Sequence, residues 1–179
     1  MKKRPSTNPK HTGIVPYVVE MRDDDSDPLS VYETFCRHFP GRDSFLLESA
    51  LRSRRTGRYS LIGAAGDIFC ARGDTVAIIR GERKISYKAD PFSELEKILA
   101  HRKREADVAV PFIGGAVGFF SYDINRHFQH LPERGKEPSG CPDIYLMFVD
   151  DFILFDHFRD TVLAVSNYDA ASALSRERA

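Results

Sequence analysis

Ser44-Phe45-Leu46-Leu47-Glu48-Ser49 and Tyr59-Ser60-Leu61-Ile62-Gly63 face each other across a basic loop running from Arg52 to Arg58. Each is a short apolar run closed by polar or glycine punctuation, the pattern of a buried strand, and their spacing suits two neighbouring strands of one sheet. Downstream, Ile68–Ala71, Thr75–Arg80 and Lys84–Tyr87 repeat the theme, separated by Arg72-Gly73-Asp74 and Gly81-Glu82, whose glycines suit turns that need positive φ. These segments form a β-meander. Upstream, Ile14–Glu20 reads as a strand, followed by the acidic, breaker-rich Asp23–Asp27.

Helices interrupt the strands at two cap signals. Asp27 can cap a helix with Pro28 in its first turn, and Leu29, Tyr32, Phe35, Cys36 and Phe39 recur at helical spacing up to Pro40. Asp90-Pro91 repeats the signal, with Phe92, Leu95, Ile98 and Leu99 on one face. Gly114–Tyr122 then reads as a glycine-punctuated strand, Asp123–Phe128 as a short helix and Leu131–Pro142 as a loop. Ile144–Phe155 is nearly all apolar and reads as one strand covered on both faces, turned by Asp156–Asp160 into Thr161–Ser166. The expected class is α+β: mainly antiparallel, meander-rich sheets with two or three packed helices in a single domain. Residues 1–12 read as a loose tail, 13–168 as the domain, and 169–179 as a helical start to a following segment.

Composition narrows the function classes. Lys plus Arg and Asp plus Glu number 26 each, so no global field draws the chain to nucleic acid or an anionic membrane. Cys36, Cys70 and Cys141 are scattered and odd in number, which suggests neither a disulfide framework nor a zinc knuckle and fits a reducing cytoplasm. The basic Met1–Arg4 runs into polar residues instead of an apolar stretch, unlike a signal peptide, and no apolar run has the length of a membrane helix.

Catalytic signatures such as G-x-S-x-G, H-E-x-x-H and the phosphate-binding P-loop are absent. His127 and His130, flanked by Asp123 and Glu133, resemble a metal-ligand spacing, but Leu131-Pro132 would end the helix first, and a solvated helix end is the plainer reading. Gly114-Gly115-Ala116-Val117-Gly118 lies inside a strand pattern, so its glycines point to close backbone packing or a bulge. Arg52, Arg54, Arg55 and Arg58 could hold a carboxylate or phosphate, or form an ordinary solvated loop. A nucleic-acid role for that loop is disfavoured by zero net charge and by its lack of aromatic residues.

Phe45–Ala50 followed by Gly57–Gly63 resembles the L-L-E-S and G-R-Y-S-[FL]-[IL]-G signature of the amino-terminal region of the anthranilate synthase component I and aminodeoxychorismate synthase family. Pro111–Asp123, with Arg126 and Leu131-Pro132, is similar to that family's P-F-x-G-G-A-x-G-x-x-x-Y-D-x-x-R-x-x-E-x-L-P block. Pro142-Asp143 and Phe155-Asp156-His157 form a third, fainter block. Ser121 and Gln129 stand where many members have Gly and Glu.

The resemblance implies the amino-terminal part of an enzyme that aminates chorismate with ammonia from a glutamine amidotransferase subunit. The chorismate-binding catalytic domain, which would hold Mg2+, would lie outside this chain, so no catalytic residue and no cofactor is assigned here. Between products, the look of Asp123–Gln129 leans toward aminodeoxychorismate and folate synthesis over anthranilate and tryptophan synthesis. The family also implies an L-tryptophan site, mapping to Glu48, Ser49, Tyr59, Ser60, Leu61 and Ile62. Leu47, Tyr59 and Leu61 would wall the indole, and Ser49, Glu48 or strand carbonyls would take the ammonium. Ordinary core strands are the competing reading of the same residues. A free-standing amino-acid sensor that kept the pocket without catalysis is the alternative function.

Overall fold

A computed structural model describes residues 2–5, 14–22, 25–48, 57–102, 111–129 and 140–169. Eleven strands are present among them: β1 (Lys2–Pro5), β2 (Ile14–Arg22), β3 (Ser44–Leu47), β4 (Tyr59–Ala64), β5 (Asp67–Arg72), β6 (Thr75–Arg80), β7 (Arg83–Lys88), β8 (Gly115–Phe120), β9 (Ile144–Val149), β10 (Asp151–Asp156) and β11 (Thr161–Asp169). The helices are α1 (Pro28–His38), α2 (Pro91–His101) and a 3-10 helix over Tyr122–His127. The α+β class expected from the sequence is observed. Two sheets form, in the orders β1-β2-β11-β10-β4-β3 and β7-β6-β5-β9-β8.

Within this fold the chain segregates into two compact units. Met1–Ala65, Arg102–Gly115 and Val149–Ala179 make the first, and Gly66–His101 with Ala116–Phe148 the second. In the first unit α1 begins at Asp27, whose carboxylate accepts from the Ser30 N–H at 3.0 Å, satisfying a donor the helix leaves open. Arg37 and His38 in its last turn suit the negative end of the helix dipole. Its apolar stripe, Val31, Tyr32, Phe35 and Phe39, packs on Ile62, Ala64, Phe155 and Val162 of the sheet. Tyr32 Oη and Cys36 Sγ both reach Ser44 Oγ, at 3.0 and 3.3 Å, tying the helix to β3.

In the second unit Asp90 plays the same role for α2, accepting from the Ser93 N–H at 2.7 Å. Phe92, Leu95 and Ile98 cover a core of Phe69, Ala71, Val76, Ile144, Leu146 and Phe148. The meander β5-β6-β7 turns at Gly73 and Gly81, whose φ values of 52° and 56° are the left-handed conformation expected of them.

Several expectations need correction or relocation. The apolar run Ile144–Phe155 is not one strand: β9 ends at Val149 and joins the five-stranded sheet, while β10 starts at Asp151 and joins the six-stranded one. Asp150 makes the break. Its carbonyl accepts from Asn167 N and Nδ2, both at 3.0 Å, and its carboxylate meets Arg102 at 3.0 Å, so both of these acceptors are satisfied outside a ladder. Within the expected tail, Lys2–Pro5 form β1, antiparallel to β2. Asp169 ends β11, and the helix expected to follow it lies outside the described residues. Among the described residues no helix is long and apolar enough to cross a membrane.

Candidate functional site

Ser44–Leu47 and Tyr59–Ala64 form β3 and β4, paired antiparallel with Leu46 opposite Ile62 and Leu47 opposite Leu61. The end of Leu-Leu-Glu-Ser therefore arrives beside the start of Arg-Tyr-Ser. Side chains alternate across a strand, and directly opposed residues share a face. Leu47, Tyr59 and Leu61 thus lie on one face of the six-stranded sheet. Ser60 and Ile62 lie on the other, where Ile62 is fully buried beneath α1. Leu47 is half exposed, Tyr59 half-buried and Leu61 buried, while Glu48 is exposed just past the strand end. Ser49 lies outside the described residues, as do Arg52, Arg54 and Arg55.

The start of β4 is fixed by the β10–β11 turn. Tyr59 and Ser60 pair with Asp156 and Phe155. Arg58 donates through Nε and Nη2 to the two carboxylate oxygens of Asp156, at 2.8 and 2.7 Å, a two-point contact that sets both groups' orientation. The His157 N–H donates to the Arg58 carbonyl at 2.9 Å, and its Nε2 lies 2.7 Å from Ser60 Oγ. The Arg58 guanidinium also covers the rings of Tyr59 and Phe158, at 4.8 and 5.5 Å from their centres. Ser60 is only 1% exposed, so its link to His157 is a structural tie between strands and leaves no hydroxyl open to attack a substrate. Arg58, weighed in sequence as an anion ligand, is instead engaged by Asp156.

Burial alone would push the Asp156 carboxyl up. The Arg58 hydrogen bonds, the Phe158 N–H and the guanidinium charge outweigh it and hold the group below the usual carboxylate range. With the folded value depressed, the clamp's stabilisation is complete above the unfolded value and lost as pH falls through the folded one. The difference in denaturation midpoint between wild type and Asp156→Asn should hold constant from neutrality to about pH 4 and close below it. A difference unchanged at about pH 2 would show that the Asp156 charge contributes nothing to the clamp.

In the sequence Asp156 and His157 stand out as turn residues and as part of the faint third block of the resemblance, with no role at the site. Their partnership with Arg58 and Ser60 spans 98 and 97 positions, and no local pattern announces it. As for metal ligation, the described residues contain no group of three or more His, Cys, Asp or Glu placed to hold an ion. His130 and Glu133 of the spacing considered above are outside that set.

The profile of the chorismate binding enzyme family matches residues 27–178, most of the chain. The chain belongs to this family. Anthranilate synthase component 1 of Mycolicibacterium smegmatis is 33% identical over 157 residues, 86% of this chain and 30% of that protein. The protein of the same name from Acetivibrio thermocellus is 29% identical over 171 residues, 93% of this chain and 34% of that one. The crystal structure of anthranilate synthase component I from Streptococcus pneumoniae TIGR4 shares the fold, with a TM-score of 0.55 at 15% identity over 88% of this chain and 35% of the other. This chorismate binding family chain thus spans about a third of the length of the relatives it matches.

Proposed function

We propose that the chain is the amino-terminal, non-catalytic part of a chorismate-aminating enzyme, and that it supplies one wall of an L-tryptophan site. The observation that carries this reading is the β3–β4 register, which sets Leu47 against Leu61 on the face that also carries Tyr59. Leu47, Tyr59 and Leu61 then offer an indole an apolar face, and Glu48, exposed just past the end of β3, is retained in the proposal as an acceptor for the ammonium. Ser49 is the next residue along and belongs to the same proposal. Ser60 and Ile62 act from the opposite face by holding β4 in register, without touching the ligand. The Arg58–Asp156 clamp fixes the backbone on which Tyr59 stands.

The relatives named above are anthranilate synthases, which moves the preferred product to anthranilate from the aminodeoxychorismate suggested by Asp123–Gln129. Their designation as component 1 supports a second component as partner, here a glutamine amidotransferase subunit. Mg2+ and chorismate belong to the part of the enzyme this chain does not include. Tryptophan bound here would act by favouring one arrangement of the enzyme over another, with a coupling equal to its difference in affinity for the two.

Calorimetric titration of L-tryptophan tests the reading, in this chain and in the full-length enzyme. Binding should be saturable and should weaken about tenfold or more in Tyr59→Ala, because truncating a buried aromatic contact costs over 1 kcal/mol. Ser49→Ala should weaken it as well. Unchanged affinity in both variants would remove the site from these strands while leaving family membership intact.

A further inference from the structure

The proposed site has a wall for an indole and an acceptor for an ammonium, but an amino acid also carries a carboxylate. The β4–β10 pairing places a cationic cluster where that group would lie. Asp156 stands directly opposite Tyr59, so its side chain leaves the sheet on the face that carries Leu47, Tyr59 and Leu61. The Arg58 guanidinium that Asp156 holds lies over the Tyr59 ring, 4.8 Å from its centre. The cluster therefore adjoins the apolar wall.

Two cations meet at Asp156. Arg58 engages both carboxylate oxygens, at 2.8 and 2.7 Å, and Oδ1 also accepts from the Phe158 N–H at 3.1 Å. Arg159 reaches Oδ2 only at 3.9 Å, beyond hydrogen-bond length, and its side chain is 66% exposed against 33% for Arg58 and 5% for Asp156. Two guanidiniums thus share one carboxylate, and Arg58 has the closer hold on it. One positive charge of this cluster is left to Arg159. Its backbone is anchored, because the Arg159 N–H donates to the Asp156 carbonyl at 3.1 Å. A planar fork rooted beside an apolar wall suits the two oxygens of a carboxylate.

We infer that Arg159 takes the α-carboxylate of the bound amino acid, an assignment that rests on the tryptophan site proposed above. Arg58 is the positioning residue, since its two-point contact occupies Asp156 and leaves the Arg159 fork to the ligand. Arg159 follows β10 and Glu48 follows β3, the strands on either side of β4, so the two charged groups of the ligand are approached from opposite sides.

Calorimetric titration with L-tryptophan and with L-tryptophanamide tests this, in the full-length enzyme and in this chain. The amide keeps the indole and the ammonium and replaces the carboxylate with a neutral group of the same shape. It should bind the wild type about tenfold or more weakly than tryptophan does. Arg159→Gln should weaken tryptophan about tenfold and leave the amide unchanged, so that the two ligands bind alike. The exposed Arg159 side chain makes only its long contact to Asp156, and an unaltered denaturation midpoint checks that the variant is folded. Wild-type affinity for the amide equal to that for tryptophan overturns the inference and leaves the tryptophan site standing. Arg159→Gln lowering both affinities equally, or neither, does the same. No saturable binding of tryptophan to either protein overturns the site and the inference together.

Discussion

Phe155→Ala should lower the free energy of unfolding by about 3–5 kcal/mol, the range for truncating a buried phenylalanine. Phe155 is 3% exposed and stands at the centre of the first unit's core, between α1 and the sheet, with Phe35, Ile62, Ala64 and Val162 around it. Collapse around the lost ring is restricted. Ile62 and Val162 are held on strands paired to either side of β10, and a half-open groove of about 300 Å³, lined by Phe155 with Met21, Arg22, Ser26, Val31 and Val162, already lies beside it. The substitution widens that groove into the core instead of letting neighbours close over the lost ring. A second consequence reaches the candidate site. Phe155 stacks on the His157 imidazole at 6.0 Å, and its backbone pairs with Ser60, so losing the ring frees the imidazole that ties Ser60 to the turn. Denaturant titration gives the stability change, and the imidazole proton resonances of His157 report the freed ring. A loss under about 1 kcal/mol would mean that α1 moves in to refill the site, and that the sheet does not hold the core open.

The parts of this architecture that were legible in sequence are those decided by local chemistry. Asp27-Pro28 and Asp90-Pro91 each combine a side-chain acceptor with a residue that lacks an N–H to satisfy, and both helices start there. Thr75–Arg80 is a strand because β-branched residues lie between two glycine turns, and its bounds match the reading residue for residue. The break at Asp150 was not legible. Two strands buried in different sheets have the same apolar composition as one long strand, and only the long-range bonds from Asn167 and Arg102 to Asp150 tell them apart. The clamp at the candidate site fails to announce itself for the same reason. Arg58 looks like the last member of a basic loop until Asp156, nearly a hundred residues on, is placed against it. The face assignment of Tyr59 through Ile62 is intermediate: alternation is implicit in any strand, but which face lies under α1 depends on Phe35 and Phe155 arriving there.

Gly118→Ala should detach β8 from β9 and cost about 3 kcal/mol or more, because a rigid backbone group stands where the methyl would go. A Cβ built at Gly118 overlaps the Tyr145 carbonyl oxygen and comes within 2.9 and 3.0 Å of Tyr145 C and Leu146 Cα. Those atoms belong to β9, which is locked on its other side by five residues of pairing with β5 and filled by Ile144, Leu146 and Phe148, all buried in the second unit's core. Neither strand can shift without disturbing that core. Gly63 provides the comparison. Its added Cβ would also meet close neighbours, at 2.7 Å from Phe45 Cζ and 3.1 Å from Val149 Cγ1, but both are side-chain atoms, and a ring can turn where a carbonyl in a ladder cannot. Gly63→Ala should therefore cost clearly less than Gly118→Ala, with overpacking penalties of about 1–3 kcal/mol as the scale. Denaturation midpoints rank the two, and amide exchange locates the damage, at β8 and β9 for Gly118→Ala and at β3 and β4 for Gly63→Ala. The opposite ranking would mean that β8 approaches β9 less closely than the glycine-for-methyl argument requires. Phe119 and Phe120 would then owe their exposure to a loosely held strand.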